Sequence, residues 1–208
     1  MASHSTPAEH DHTLPIGPSD RIWYAAYGSN TLRARLMAYI EGADAEGVFG
    51  LHAGGRVAHP PADETVTTLR HALYFAGTSR RWPGSVAFVD PREHPTAMTY
   101  ARCYLLQWQQ IEDLVAHENG QEDIDPITHL PTVGASRRLP VGGKYDLLLR
   151  LGDIDGTPAV TVTTSQDFPR GDPHPSYLDA IRAGLQEARV CSEPELAEYF
   201  RRLETDAS

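Results

Sequence analysis

Ile22-Trp23-Tyr24-Ala25-Ala26-Tyr27-Gly28-Ser29-Asn30 is the stretch on which the rest of this chain is read. Its apolar and aromatic run, Ile22 to Tyr27, suits a buried strand. The run stops at Gly28, and the helical pattern Thr31 to Glu41 follows directly. Gly28 has the backbone freedom that a sharp turn asks for, and Ser29 and Asn30 are both good N-cap residues. A strand, tight turn and helix joined in this way aim free backbone N–H groups and the positive end of the helix dipole at one point. Such a point suits a carboxylate, a phosphate or a developing oxyanion. On physics alone, an ordinary strand-to-helix turn is the better explanation.

The chain has 208 residues, enough for one domain with a proper core. With 40% hydrophobic and 22% charged residues, it has the composition of a soluble globular protein. A formal net charge of −10 weighs against nucleic acid as the main partner. No apolar run approaches a membrane span, and no signal peptide opens the chain, so no membrane partner and a cytoplasmic location are expected. The polar leader, residues 1–20, is expected to be disordered, residues 21–203 to form a single domain and residues 204–208 a tail. His10 and His12 fall in that leader and read as solvated residues rather than metal ligands. Cys103 and Cys191 are the only cysteines, too few for a disulfide framework or a cysteine zinc site. There is no P-loop, Gly-x-Gly-x-x-Gly or His-Glu-x-x-His motif. Lys144 is the only lysine, an arginine skew that reads as bacterial-type genome composition rather than mechanism. No feature of the sequence fixes an oligomeric state.

Strand patterns recur at 72–77, 85–90, 99–106, 145–151 and 159–164, the last two joined through Asp153-Ile154-Asp155-Gly156. Helical patterns lie at 31–41, 107–118, 176–188 and 193–203, the last two opened by the capping-box pairs Ser176/Asp179 and Ser192/Glu195. Strands outnumber the helices between them, which does not fit a regular doubly wound sheet. The expected class is α+β: a mixed, mostly antiparallel sheet, curled or closed into a small barrel, with a few flanking helices. Residues 43–70 and 121–143 show no clear periodicity, and loops of that length are often functional.

In Gln107 to Gly120, Ile111, Leu114 and Val115 share one helical face, and the next position on that face is Glu118. Glu112 and Asp113 fall on the other side and read as solvated, while Gly120 is a plausible terminator. A carboxylate at position 118 would be drawn from water beside the negative end of the helix dipole. That setting suits a group that must both take and give a proton. Spacing alone is equally consistent with a Glu118 exposed one turn past the buried section.

Tyr27-Gly28-Ser29-Asn30 resembles the opening motif of the gamma-glutamylcyclotransferase-like family, also called AIG2-like, with Thr31 where Leu or Met is usual. Thr99 to Gly120 resembles the family's central strand–helix unit, in which Glu118 takes the place of the catalytic glutamate. His71 to Asp90 resembles the preceding hairpin, and Pro175 to Ile181 the late helix with its tyrosine, Tyr177. The resemblance runs in order from Ile22 to Leu203; residues 43–70 and the loop after Glu118 match less well.

The resemblance implies a cyclotransferase, of the lyase or acyl-transfer class, acting on a small gamma-glutamyl amide. The substrate's own α-amino nitrogen attacks its γ-carbonyl, releasing 5-oxoproline and a free amine, with no metal or organic cofactor. Glu118 then carries the protons. Gly28, Ser29 and Asn30 hold the substrate's carboxylate or oxyanion, with Tyr27 packed beneath the turn and Tyr177 against the substrate. Arg81, or its neighbour Arg80, would meet a second carboxylate on the leaving group, though an exposed loop arginine explains either residue as well. A non-catalytic binding protein of the same fold and an amide hydrolase removing a gamma-glutamyl-type acyl group are the alternatives.

Overall fold

The Ile22–Tyr27 run is apolar without a break because its strand is buried on both faces. Trp23, Ala25 and Tyr27 point into one core, and Ile22, Tyr24 and Ala26 into another. In a computed structural model of the protein, residues 13–79 and 81–206 are described. Arg80, most of the expected leader and the end of the expected tail lie outside them.

In chain order the strands are β1 (Leu14–Pro15), β2 (Arg21–Ala26), β3 (Glu64–Leu69), β4 (His71–Ala76), β5 (Val86–Glu93), β6 (Thr99–Gln107), β7 (His129–Leu130), β8 (Ser136–Arg138), β9 (Leu147–Ile154) and β10 (Thr157–Thr163). The helices are α1 (Arg33–Glu41), α2 (Trp108–Glu118), α3 (Pro175–Glu187) and α4 (Glu193–Asp206). Six strands form one mixed sheet in the order β3-β6-β2-β10-β9-β8. Within it, β2 and β10 run parallel and the other neighbours antiparallel. The expected α+β class with a mostly antiparallel sheet therefore holds, and the strands do not close into a barrel.

The two cores occupy opposite faces of the sheet. One is filled from the β4–β5 hairpin, α3 and α4, through Phe75, Phe88, Ile181, Leu185 and Phe200. The other is filled from α1 and α2, through Leu36, Ile40, Trp108, Ile111 and Leu114. The hairpin is tied to β10 at Thr163, whose hydroxyl accepts from the Val89 amide (3.1 Å) and donates to the Val89 carbonyl (2.7 Å). The β9–β10 connection is a two-residue turn with both Asp155 and Gly156 at positive φ (49° and 75°), the geometry favoured by a twisted hairpin.

Four expectations are corrected. Residues 13–20 of the expected leader are folded: β1 pairs with β7, Ile16 is buried, and the Asp20 and Pro18 carbonyls accept from the first amides of α2. Those amides lack partners inside their own helix. Second, α1 begins at Arg33, because Ser29–Thr31 forms a separate 3-10 turn and Leu32 is extended; no side chain caps either piece. Third, β3 lies inside a segment without visible periodicity, since this Thr-rich edge strand buries only Leu69.

The fourth correction concerns Glu112 and Asp113, which are buried rather than solvated. Loops cover the polar side of α2. Glu112 accepts from the Ile127 amide (2.8 Å), and Asp113 accepts from the amide and Nε of Arg56 (2.7 and 2.6 Å). Gln110 donates to the Val57 and His59 carbonyls (3.1 and 2.7 Å).

Candidate active site

The turn that follows β2 is held from several sides. Its own bonds run from the Thr31 amide to the Gly28 carbonyl (3.0 Å) and from the Leu32 amide to the Ser29 carbonyl (3.1 Å). From β6, the Tyr104 hydroxyl reaches the Asn30 and Thr31 carbonyls (both 3.0 Å) and Arg102 Nη1 reaches the Thr31 carbonyl (3.2 Å). From α3, the Ile181 carbonyl accepts from the Thr31 hydroxyl (3.2 Å). Gly184 lets that helix lie against the turn: a Cβ there would sit 2.1 Å from the Thr31 carbonyl carbon. Gly28 is needed for room rather than for backbone freedom. Its φ is −97°, and a Cβ would come within 3.0 Å of the Tyr177 hydroxyl.

Helix α2 delivers Glu118 to the same place. Its start is a reciprocal capping box between Gln107 and Gln110. Its end is a Schellman-type closure: Gly120, at φ 72°, donates to the His117 carbonyl, and Gln121 to the Ala116 carbonyl. Glu118 stands in the last turn, half-buried, and accepts from Asn30 Nδ2 at 2.9 Å.

Tyr24, Tyr27, Gly28, Ser29, Asn30, Glu118, Tyr145 and Tyr177 surround an inner chamber of about 40 Å³. Tyr27 is braced by its hydroxyl on the Val162 carbonyl (2.7 Å), and the Tyr177 hydroxyl accepts from the Ala87 amide (3.1 Å). Burial holds the hydroxyls of Tyr24, Tyr145 and Tyr177 well above the usual tyrosine pKa, and the charge of Glu118 raises them further. They remain protonated donors around the carboxylate. Asn30 Oδ1 is buried and accepts no hydrogen bond. An unpartnered acceptor beside a carboxylate favours an N–H-bearing cation or amine.

Ser29, Glu118, Tyr145 and Tyr177 also border an outer chamber of about 380 Å³. Arg35, Tyr39, Phe49, His52, Trp82 and His117 add to its wall, with Arg81 and Lys144. Arg81 therefore lies here and not in the inner chamber. Two of its donors bind the Val48 and Phe49 carbonyls, which makes it a clasp between two loops. Arg35 is only 6% exposed; Nη1 donates to His52 Nε2 (2.7 Å) and Nη2 to the Tyr39 hydroxyl. Burial, and then the Arg35 charge, lower the pKa of His52, consistent with a neutral imidazole accepting that bond.

Six of the expected residues, Tyr27, Gly28, Ser29, Asn30, Glu118 and Tyr177, thus meet at one chamber and Arg81 at its neighbour. Tyr24, Tyr145, Arg35 and Tyr39 were not among them. Arg35 and Tyr39 stand one helical turn apart on α1, a spacing that marks a shared face. Among the described residues, no group of three or more His, Cys, Asp or Glu side chains is placed to hold a metal ion. No described helix is long and apolar enough to cross a membrane.

The fold is that of gamma-glutamyl cyclotransferase. A solved structure of that enzyme aligns with a TM-score of 0.53, covering 89% of this chain and 87% of the other at 15% identity. An uncharacterized protein from Homo sapiens aligns equally well, at 14% identity and the same coverage. No protein-family model matches the chain. A curated relative, histone deacetylase 5 of Arabidopsis thaliana, is 26% identical over 198 residues, or 86% of this chain. The chain spans 30% of the length of that relative.

Proposed function

We propose that the protein is a cyclotransferase that cleaves a gamma-glutamyl amide. The observation that carries this reading is the Asn30–Glu118 hydrogen bond across the inner chamber, beside the unpartnered Asn30 Oδ1. The substrate's α-ammonium would bind between Glu118 and Asn30 Oδ1, with its α-carboxylate near the amides of residues 28–30. Glu118 accepts a proton from the ammonium. The freed nitrogen attacks the γ-carbonyl carbon, closing a five-membered ring. The amide C–N bond breaks as Glu118 returns that proton to the departing nitrogen, and the ring nitrogen then gives its surplus proton to Glu118, from which it passes to the released amine, leaving 5-oxoproline and an alkylammonium ion. Because nucleophile and electrophile belong to one molecule, positioning supplies much of the rate. The protonated tyrosines and the turn amides offer hydrogen bonds to the transient oxyanion.

The two chambers suit the two halves of such a substrate. The small inner one accepts the glutamyl head and the larger outer one the amine, with Glu118 at their junction. The test is to incubate purified protein with a panel of gamma-glutamyl amides and measure 5-oxoproline. Free glutamate in its place would make the protein an amide hydrolase. Saturable binding with neither product would make it a binding protein of this fold. Release of acetate from an acetyl-lysine peptide would extend to this chain the activity in the name of the Arabidopsis relative.

A further inference from the structure

Asn119 follows Glu118 directly, and the proposed reaction gives it no part. It is 5% exposed and ends α2, where its backbone amide closes onto the Ala116 and Val115 carbonyls (3.1 and 3.2 Å). Its side chain ties that helix end to a second element. The Tyr145 amide donates to Asn119 Oδ1 (2.9 Å), while Asn119 Nδ2 donates to the Tyr145 carbonyl (3.0 Å) and to the Val115 carbonyl (2.9 Å). A side-chain amide has an accepting oxygen and a nitrogen with two N–H groups, so one backbone donor and two backbone acceptors use its bonding capacity on this side in full.

Tyr145 lies two residues before β9, outside the ladder of the sheet. Backbone polar groups withdrawn from water need partners, and here one side chain supplies both, as a neighbouring peptide would in a sheet. Gly143 makes the room: a Cβ there would fall 2.1 Å from Asn119 Oδ1 and 2.5 Å from its Cγ. The side chain that this clamp carries borders both chambers, as Glu118 does. The Tyr145 ring packs against Phe88 with centroids 5.2 Å apart, and its hydroxyl stands 3.4 Å from the Ala87 carbonyl, too long for a strong bond. With its hydroxyl so loosely tied, the placing of Tyr145 falls to the backbone, and the backbone is held by Asn119.

We propose that Asn119 is a positioning residue for the reaction: its amide fixes Tyr145 relative to the end of α2, so that the Tyr145 hydroxyl stands beside Glu118 and donates to the oxyanion that forms as the ring closes. The proposal rests on the cyclotransferase reading and adds a residue to it. No proton passes through Asn119; it acts by geometry, and a small misplacement of a reacting or stabilising group is enough to slow the chemistry.

The experiment is a double-mutant cycle in kcat, read as 5-oxoproline formed from a gamma-glutamyl amide that the parent accepts, with urea titrations on the same four proteins. Tyr145→Phe is expected to lower kcat about 100-fold, and Asn119→Ala about 10-fold, with KM within about threefold of the parent's. In the Tyr145→Phe background, Asn119→Ala should cost less than about twofold in kcat, because the hydroxyl that it positions is gone. Its cost in stability should be the same in both backgrounds, since the clamp bonds the Tyr145 backbone. Gly143→Ala approaches from the other side: the added methyl displaces the Asn119 side chain and should lower kcat about 10-fold in the parent, yet change little when added to Asn119→Ala. An Asn119→Ala loss in kcat that recurs undiminished without the hydroxyl overturns the proposal, as does a kcat within twofold of the parent's alongside lowered stability, which would leave Asn119 a helix cap only. A parent-like kcat in Tyr145→Phe overturns it too. All of these outcomes leave the cyclotransferase standing, whereas a parent that forms no 5-oxoproline from any gamma-glutamyl amide overturns the reaction and this role with it. If Asn119→Ala does not fold, Gly143→Ala with and without Tyr145→Phe decides the matter by the same criterion.

Discussion

The middle of α2 and its C-terminal end carry acidic residues in opposite circumstances. Glu112 and Asp113 are almost wholly buried, yet loops supply their carboxylates with donors: the Ile127 amide, the Arg56 amide and the Arg56 guanidinium. Glu118, six and five residues further on, is less buried; it accepts from Asn30 and faces open space. Burial therefore does not distinguish the carboxylate proposed to carry protons from the two that fasten loops. What distinguishes them is whether the surrounding donors come from the protein's own backbone or from side chains around a cavity. The first arrangement closes a loop onto a helix, and the second leaves room for another molecule.

The sharpest test of this contrast is Glu118→Gln. Turnover of any accepted gamma-glutamyl amide is expected to fall about 100-fold or more. Stability in urea should change by about 1 kcal/mol or less, since the amide oxygen can still accept from Asn30. Turnover close to the parent's would move the proton shuttle to another group. Asn30→Ala comes next: loss of a hydrogen bond to a charged group is expected to cost about tenfold in kcat. A rate within twofold of the parent's would mean that Asn30 only packs the turn.

Asp113→Ala should show the reverse pattern. It unfastens the 54–57 loop from α2 and is expected to cost about 1–2 kcal/mol, discounted because Arg56 is partly exposed. Its kcat, measured on folded protein, should stay within about threefold. A large drop in kcat with unchanged stability would erase the distinction between the two ends of the helix.

The smallest effect concerns pH. Burial raises the pKa of Glu112 above its ordinary 4.5, against the lowering influence of the Ile127 amide and Arg56. The native state then keeps this proton to a higher pH than the unfolded chain does. Its contribution to stability declines as pH rises from the unfolded value through the native one, and the cost is complete above both. Glu112→Gln should accordingly gain on the parent between pH 4 and pH 7, by less than about 1 kcal/mol after screening. Paired urea titrations at those two pH values measure it. A variant that loses ground as pH rises would mean that the ionised carboxylate is the stabilising form.

Much of this arrangement was written locally in the sequence. The unbroken Ile22–Tyr27 run announced a strand covered on both faces, and the 3.6-residue spacing of Ile111, Leu114 and Val115, ended by Gly120, gave α2 with Glu118 in its last turn. Periodicity was blind to what covers the remaining side of that helix. It marked Glu112 and Asp113 as solvated because nothing local announces that residues 54–59 and 127 will fold over them. The Ser29–Asn30 pair misled in a related way. Both are good caps, but Tyr104 and Arg102 of a distant strand capture the carbonyls of the turn, and the helix starts later. Arg35 escaped notice because an arginine on a helix ordinarily points to water, and only the tertiary fold encloses this one.

The contact between Gly184 and the Thr31 backbone also bears on when this protein can work. Thr31 and Ile181 are separated by 150 positions. At ordinary rates of synthesis, the turn leaves the ribosome on the order of ten seconds before the helix that grips it. For the first part of that interval β2 and the turn lack β6 beneath them, and for all of it they lack α3 above. The turn of a nascent chain is therefore not clamped from both sides until α3 has docked, and a truncation before α3 should leave a chain that cannot order the turn beside Glu118.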